Sequence, residues 1–305
     1  MKKLTFAVFV LTAAVRWIAA APQPTQPRSF ATPQEAAQAL IDAASRNDSA
    51  AMLNLFGAAG KEIVDSRDAT GEQHMRENFV ARAHTSMRIE SEPGNPDRAT
   101  VVAGENDWPF PVPLVRKGGR WYFDAAQGKL EIRARRIGRH EMIAIDVCRG
   151  YVEAQMEYAS HDRDSHGILK YAQHIINSPG KKDGLYQEGE QNNLVPKSFA
   201  EAAAARLEAQ GKKPVPYHGY YFHILRAQGP DAPGGAMDYV VNGEMIGGFA
   251  LVAWPAEYGV SGIKTFLVSH HGVIYQKDLG PATPTLARAV RRFNPDKTWK
   301  VVDDE

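Results

Sequence analysis

Apolar positions follow a helical rhythm at the start of the chain, change to strand alternation, and return to helical spacing before a long strand-rich end. Thr32-Pro33-Gln34-Glu35 opens a first helix: Thr32 caps the free amides, Pro33 suits the first turn and Glu35 bonds back to the cap. Ala36, Ala39, Leu40 and Ala43 continue the apolar stripe. Asn47-Asp48 ends it, and Met52, Leu53, Leu55 and Phe56 lie on a second helix that stops at Gly57. A third helical piece spans 72–83. Strands are then expected at 87–90 and 99–102 around Pro93-Gly94-Asn95. Two more, at 110–116 and 120–124, flank Lys117-Gly118-Gly119, a hairpin loop. Pro109, Pro111 and Pro113 alternate, so their missing amides fall on one side of the strand, as at a sheet edge or in an extended ribbon.

The span 128–160 predicts a long helix with a joint at Gly138. Ala144, Cys148, Tyr151 and Val152 mark its apolar face. From 161 to 216 the pattern is less regular, with helical stretches at 168–176 and 196–209. Strands are expected at 220–225, 245–254, 264–269 and 273–279. A Gly/Pro-rich loop runs from 228 to 235, a tight turn sits at His271-Gly272, and Thr283-Pro284 caps a short helix through Arg292. These elements make an α+β chain. Its parts are a leader at 21–31, an N-terminal helix-and-sheet domain with the long helix at 32–160, an irregular helical connector at 161–216, and an antiparallel sheet with a terminal helix at 217–305.

The first twenty residues change this picture. Lys2 and Lys3 precede an apolar run from Leu4 to Val15, and small residues follow at Ala19, Ala20 and Ala21. That is the layout of a secretory signal peptide, with the cut expected after Ala20. Arg16 leaves the run too short to span a bilayer, and no later segment is apolar enough, so no membrane span is expected after signal removal. A periplasmic or secreted protein follows. Hydrophobic content of 44% and charged content of 23% suit a globular chain, and a net charge of +1 gives no pull toward nucleic acid. The single cysteine excludes an internal disulfide and Cys-rich zinc sites.

Four patterns invite chemistry. Asp162-Arg163-Asp164-Ser165-His166-Gly167 partly matches a calcium loop, with Asp162, Asp164 and His166 as metal-ligand candidates, although His166 offers nitrogen and Gln173 stands where a bidentate Glu belongs. The bland reading is a polar turn. Lys129, Arg133, Arg136 and His140, spaced four, three and four, share a helical face that would contact a phosphate-bearing envelope polymer or be an ordinary solvated surface. His218 and His223 lie among Tyr217, Tyr220, Tyr221 and Phe222, an aromatic set suited to stacking a ligand or to packing. Cys148 sits on an apolar stripe, where a small core residue is the plainer reading than a nucleophile. His140-Glu141 lacks the second histidine of a zinc protease helix, because position 144 is Ala.

Several runs carry a resemblance: Tyr171-Ala172-Gln173, Lys182-Asp183-Gly184-Leu185-Tyr186, Tyr217-His218-Gly219-Tyr220-Tyr221-Phe222, Gln228-Gly229-Pro230, Gly247-Gly248-Phe249 and Asp278-Leu279-Gly280. Together they resemble domain-of-unknown-function family 2950, a group of exported bacterial proteins, over nearly the whole mature chain. The resemblance implies export and lends no catalytic residue. The opening helices also resemble cone-shaped folds similar to nuclear transport factor 2, and 219–275 resembles the sheet of pilin-like proteins without their processed N-terminal helix. The expected function is a non-enzymatic envelope or secreted protein that binds a partner. The alternatives are a hydrolase acting on cell-envelope polymers and a calcium-stabilised structural protein.

Overall fold

The computed structural model describes residues 26–64, 69–163, 167–207 and 215–303; the expected signal peptide at 1–20, Asp164 and His166 lie outside these. The architecture is α+β, and the chain divides into two compact units, Met1–Glu131 and Ile132–Glu305.

In the first unit, α1 (Pro33–Ser45) begins as its sequence dictates: the Thr32 hydroxyl accepts the Glu35 amide at 3.2 Å. Glu35 reaches one residue further back than a capping box requires and accepts the Ala31 amide at 3.0 Å. Asn47 takes the left-handed conformation, and Asp48 then caps α2 (Ser49–Phe56) through the Ala51 amide at 2.9 Å. A short α3 (Lys61–Val64) and α4 (Ala69–Thr85) follow. The strands are β1 (Met87–Glu92), β2 (Asn95–Ala103), β3 (Trp108–Pro109), β4 (Leu114–Lys117) and β5 (Arg120–Phe123), in sheet order β1-β2-β4-β5 with β3 also on β2. Gly118 and Gly119 both have positive φ, as the tight β4–β5 hairpin demands.

The strand expected over 110–116 is corrected. The chain bends at Pro111 and Val112, so two short strands replace one long one, and β4 lies inside the sheet rather than at its edge. Without amides at Pro111 and Pro113 the ladder cannot continue. The bend lets Val112 bury fully against Gly128. Phe56, Phe79, Phe110 and Phe123 meet edge-on, tilted or stacked in this unit's core, with ring centroids 5.0–6.5 Å apart.

The helix α5 (Ala125–Ala159) runs unbroken through Gly138, where a joint was expected, and the boundary between the units falls within it. In the second unit it buries Ala144, Cys148, Tyr151, Gln155 and Tyr158, a stripe spaced four, three, four and three. The remaining elements are β6 (His174–Ile176), β7 (Gly184–Tyr186), α6 (Lys197–Leu207), β8 (Tyr220–Leu225), β9 (Ala227–Gln228), β10 (Met237–Asp238), β11 (Val240–Val241), β12 (Glu244–Met245), β13 (Ala250–Pro255), β14 (Lys264–Ser269), β15 (Ile274–Asp278), α7 (Thr283–Ala289) and β16 (Lys300–Val301). The main sheet is antiparallel, ordered β16-β15-β14-β13-β8. All six residues of β13 are buried, so it is covered on both faces.

Three further expectations change here. The helix expected at 168–176 is an irregular segment ending in β6. Its amides leave for distant partners: Tyr171 donates to the Met245 carbonyl, and the Gln155 side chain takes both the amide and the carbonyl of Ala172 at 2.8 Å. The strand expected over 245–254 breaks at Gly247-Gly248. A Cβ on Gly248 would lie 2.6 Å from His270 Nδ1, so the chain turns there against His270 and Tyr239 before β13 begins. Thr283 does not cap α7; its hydroxyl donates to the Gly280 carbonyl at 2.6 Å and joins the helix to a preceding 3-10 turn.

Candidate functional site

Beside its buried stripe, α5 presents the half-buried Ile143 and Val147 and the buried Ala154, and next to them the exposed Asp146, Gly150, Glu153 and Glu157. Spacings of four, three and four put the last set on one helical line. Facing them is the segment 193–199, which leads into α6, together with Tyr217. Between the two walls runs an open groove of about 560 Å³.

The opposite wall is held firmly. The Phe199 ring meets Tyr217 edge-on at 5.5 Å and Phe222 at 5.3 Å. Tyr217 and Tyr220 exchange two backbone hydrogen bonds of 2.9 and 3.0 Å. Asn193 accepts the Gln187 amide at 2.6 Å and donates to the carbonyls of Gln187 and Glu190. Its side chain is a strut of the wall.

The carboxylates differ in their freedom. Asp146 pairs with Arg149 at 3.3 Å, and Glu157 stands 4.0 Å from His161 Nδ1. Glu153 makes no hydrogen bond or ion pair among the described residues. Gly150 is exposed, and a Cβ added there would meet nothing within 4 Å. Among the described residues no neighbour requires a glycine at this place, although glycine inside a helix costs roughly 0.5–1 kcal/mol relative to alanine.

Two other depressions are less suited to a ligand. The larger, about 790 Å³ in the first unit, is lined by Glu35, Asp42 and Asp48, whose carboxylates accept the Ala31 amide, the Gln38 side chain and the Ala51 amide. A third, of about 490 Å³, is lined by Asn177, Gln187 and Asn193, which are bonded to one another or to nearby backbone.

The residues singled out from sequence are distributed among several settings. Lys129 pairs with Glu62 at 2.8 Å. Arg133 and Arg136 are exposed on α5. His140 is half-buried against the β8 turn, its Nδ1 3.0 Å from the Ser261 carbonyl. A carbonyl only accepts, so Nδ1 carries the proton. Burial lowers the His140 pKa, the Ser261 bond opposes that shift, and Arg139, Arg136 and His218 reinforce it. A Cβ on Gly219 would lie 2.5 Å from His140 Nδ1, which explains the glycine there. Next along the helix, one oxygen of Glu141 accepts the amides of Ile263 and Lys264 at 2.8 and 2.9 Å.

The Asp162 carboxylate accepts the Gly167 amide at 2.7 Å, and the Gln173 side chain donates to the Gly243 carbonyl. Among the described residues no group of three or more His, Cys, Asp or Glu could hold a metal ion. Cys148 is fully buried, and burial pushes its thiol up to about 12. The stripe 146/150/153/157 was open to a reading of the sequence by helical spacing. The opposing wall was not, because Phe199 and Tyr217 come from distant parts of the chain.

A family model for a protein of unknown function, DUF2950, matches residues 27–302. The chain belongs to the DUF2950 family. No curated protein and no solved structure matches it. In this DUF2950 chain, the runs that carry the resemblance build the second unit. Tyr171 and Phe249 meet edge-on at 4.8 Å. Gln228 is buried and ties Tyr239 to the carbonyls of Pro233 and Gly235. Among the described residues no helix is long and apolar enough to cross a membrane.

Proposed function

We propose that this DUF2950 chain is a non-enzymatic binding protein that works outside the cytoplasm, in the periplasm or the medium, and that its ligand lies in the α5 groove. The observation that carries this reading is the pairing of an apolar wall with the exposed Gly150 and with Glu153, which has no partner among the described residues, on the same helical line. Ligand sites characteristically combine mostly apolar walls with a few placed polar groups. The groove's ionisable groups are carboxylates on one helix and the phenols of Tyr151 and Tyr217, a set suited to holding a charged ligand. Export is supported by the order of Lys2-Lys3, the apolar run and Ala19 to Ala21.

The test is a thermal melt of residues 21–305 against apolar amines, short peptides and envelope fragments. A ligand at about 100 times its dissociation constant adds roughly 2.7 kcal/mol, which moves the midpoint by several degrees. Gly150→Trp fills the groove from an open position and is expected to abolish that rise while leaving the unliganded fold intact. A rise that survives Gly150→Trp would place the ligand elsewhere, and robust turnover by the purified protein would replace binding with catalysis. A fusion of residues 1–30 to a reporter active only outside the cytoplasm tests export separately.

A further inference from the structure

The line of α5 that borders the groove continues beyond it. Toward the N-terminus of the helix, Arg139 lies four residues before Ile143, and Arg136 three before that. Toward the C-terminus come Asp146, Gly150, Glu153 and Glu157. The spacings alternate three and four throughout, so one helical face carries arginines at one end, Ile143, the Arg149-paired Asp146 and the open Gly150 in the middle, and Glu153 and Glu157 at the other.

The surroundings preserve this polarity. Arg136 and Arg139 are exposed and make no ion pair or hydrogen bond among the described residues. The nearby Glu141 is turned to the amides of Ile263 and Lys264. His218 follows Tyr217, whose ring lines the groove, and comes alongside His140 at the arginine end. At the other end, Asp146 and Glu157 have the modest partners Arg149 and His161, and Glu153 is free among the described residues.

The carboxylate at the C-terminal end is not what helix stability favours. Helix ends prefer anions at the N-terminus and cations at the C-terminus. Here Glu157 occupies the last turn, and that turn holds no basic residue.

Resting on the reading of the groove as a binding site, we infer that its occupant is an extended peptide segment with acidic groups at one end, apolar side chains between, and a basic group at the other. The length follows from the helix. Arg139 and Glu153 are fourteen residues apart, or about 21 Å at roughly 1.5 Å per residue. An extended chain rises roughly 3.3 Å per residue, so about six or seven residues reach from one charge to the other. The middle of the segment meets Ile143, Val147, Phe199 and Tyr217. A uniform polyanion would leave the carboxylates facing like charge, and a simple cationic amphiphile would leave the arginines unused.

The experiment measures fluorescence anisotropy of labelled heptapeptides on residues 21–305. One peptide is bipolar (Asp-Asp-Leu-Phe-Leu-Lys-Lys), one has acids at both ends, and one has lysines at both ends. The bipolar peptide is expected to bind at least tenfold more tightly than either of the others. In the double variant Arg136→Glu with Arg139→Glu, the preference is expected to switch to the all-basic peptide, a gain that misfolding cannot produce. Equal binding of the bipolar and all-acidic peptides, or of the bipolar and all-basic ones, would overturn the inference and leave a single-charge site. If only a non-peptide ligand binds, and Gly150→Trp blocks it, the groove stands and the peptide assignment falls. If sedimentation shows a second copy of the chain filling the groove, the peptide assignment falls as well. If no peptide binds and Gly150→Trp alters the response to no ligand, both the inference and the reading beneath it fail.

Discussion

Glu141 shows how a single residue can organise a turn far away in sequence. Its one oxygen receives two backbone amides at the start of β14. Glu141→Ala would strand both and is expected to cost about 1–2 kcal/mol in urea unfolding, because half-buried amides without acceptors lose part of their solvation. Glu141→Gln keeps an oxygen acceptor and loses only the charge, so its cost is expected to be clearly smaller. In the sequence, Glu141 looked like half of an incomplete zinc motif, and His140 looked like one of four cations on a helical face. Their actual partners, Ser261, Ile263 and Lys264, stand more than a hundred positions away. Local spacing carries no trace of such pairings. Thr32 and Gly118-Gly119 were legible for the converse reason, because that cap and that tight turn are settled within three or four residues, whereas Asp48, expected only to break the first helix, also caps the second.

Among the elements, α5 carries most of the candidate function, and it contains two glycines that no packing explains. A Cβ at Gly138 or at Gly150 meets nothing within 4 Å. Gly138→Ala and Gly150→Ala are each expected to raise stability by up to about 1 kcal/mol, read as a higher midpoint in a thermal melt. Only bulky substitutions at Gly150 are expected to affect ligand binding, which makes Gly138 the control. The elements that sequence misjudged share a cause. The segment 168–176 has helical periodicity, yet Gln155 and Met245 claim its backbone groups. The strand expected from 245 stops where Gly247 and Gly248 must pass close to Tyr239 and His270. In both places tertiary partners outbid local propensity, and the same is true of the groove, one wall of which was readable from spacing and the other not.

Across the whole molecule, each unit has its own hydrophobic core. Among the described residues the histidines with lowered pKa, His140, His174 and His270, lie in the second, and burial is the leading cause for each. A lowered value means that the folded state favours the neutral ring, so the unfolded chain binds more protons below about pH 6.5. The stability held by these rings is complete above that pH and is lost as the pH falls through the lowered folded values. Calorimetry at pH 7.5 and pH 5 is expected to show the second unit losing stability first, before most carboxylates titrate near pH 4. His140→Gln should flatten part of that slope. An unchanged profile in the variant would assign the acid sensitivity to the other two rings.

The only cysteine, Cys148, lies sealed in the second unit's core with its thiol held protonated. The folded chain therefore has the same thiol and disulfide state in a reducing compartment as in an oxidising one. It needs no oxidase or isomerase to mature, and it offers glutathione or a neighbouring protein no accessible sulfur for exchange. In its thiol chemistry, a protein built this way is indifferent to the redox poise of the place where it folds.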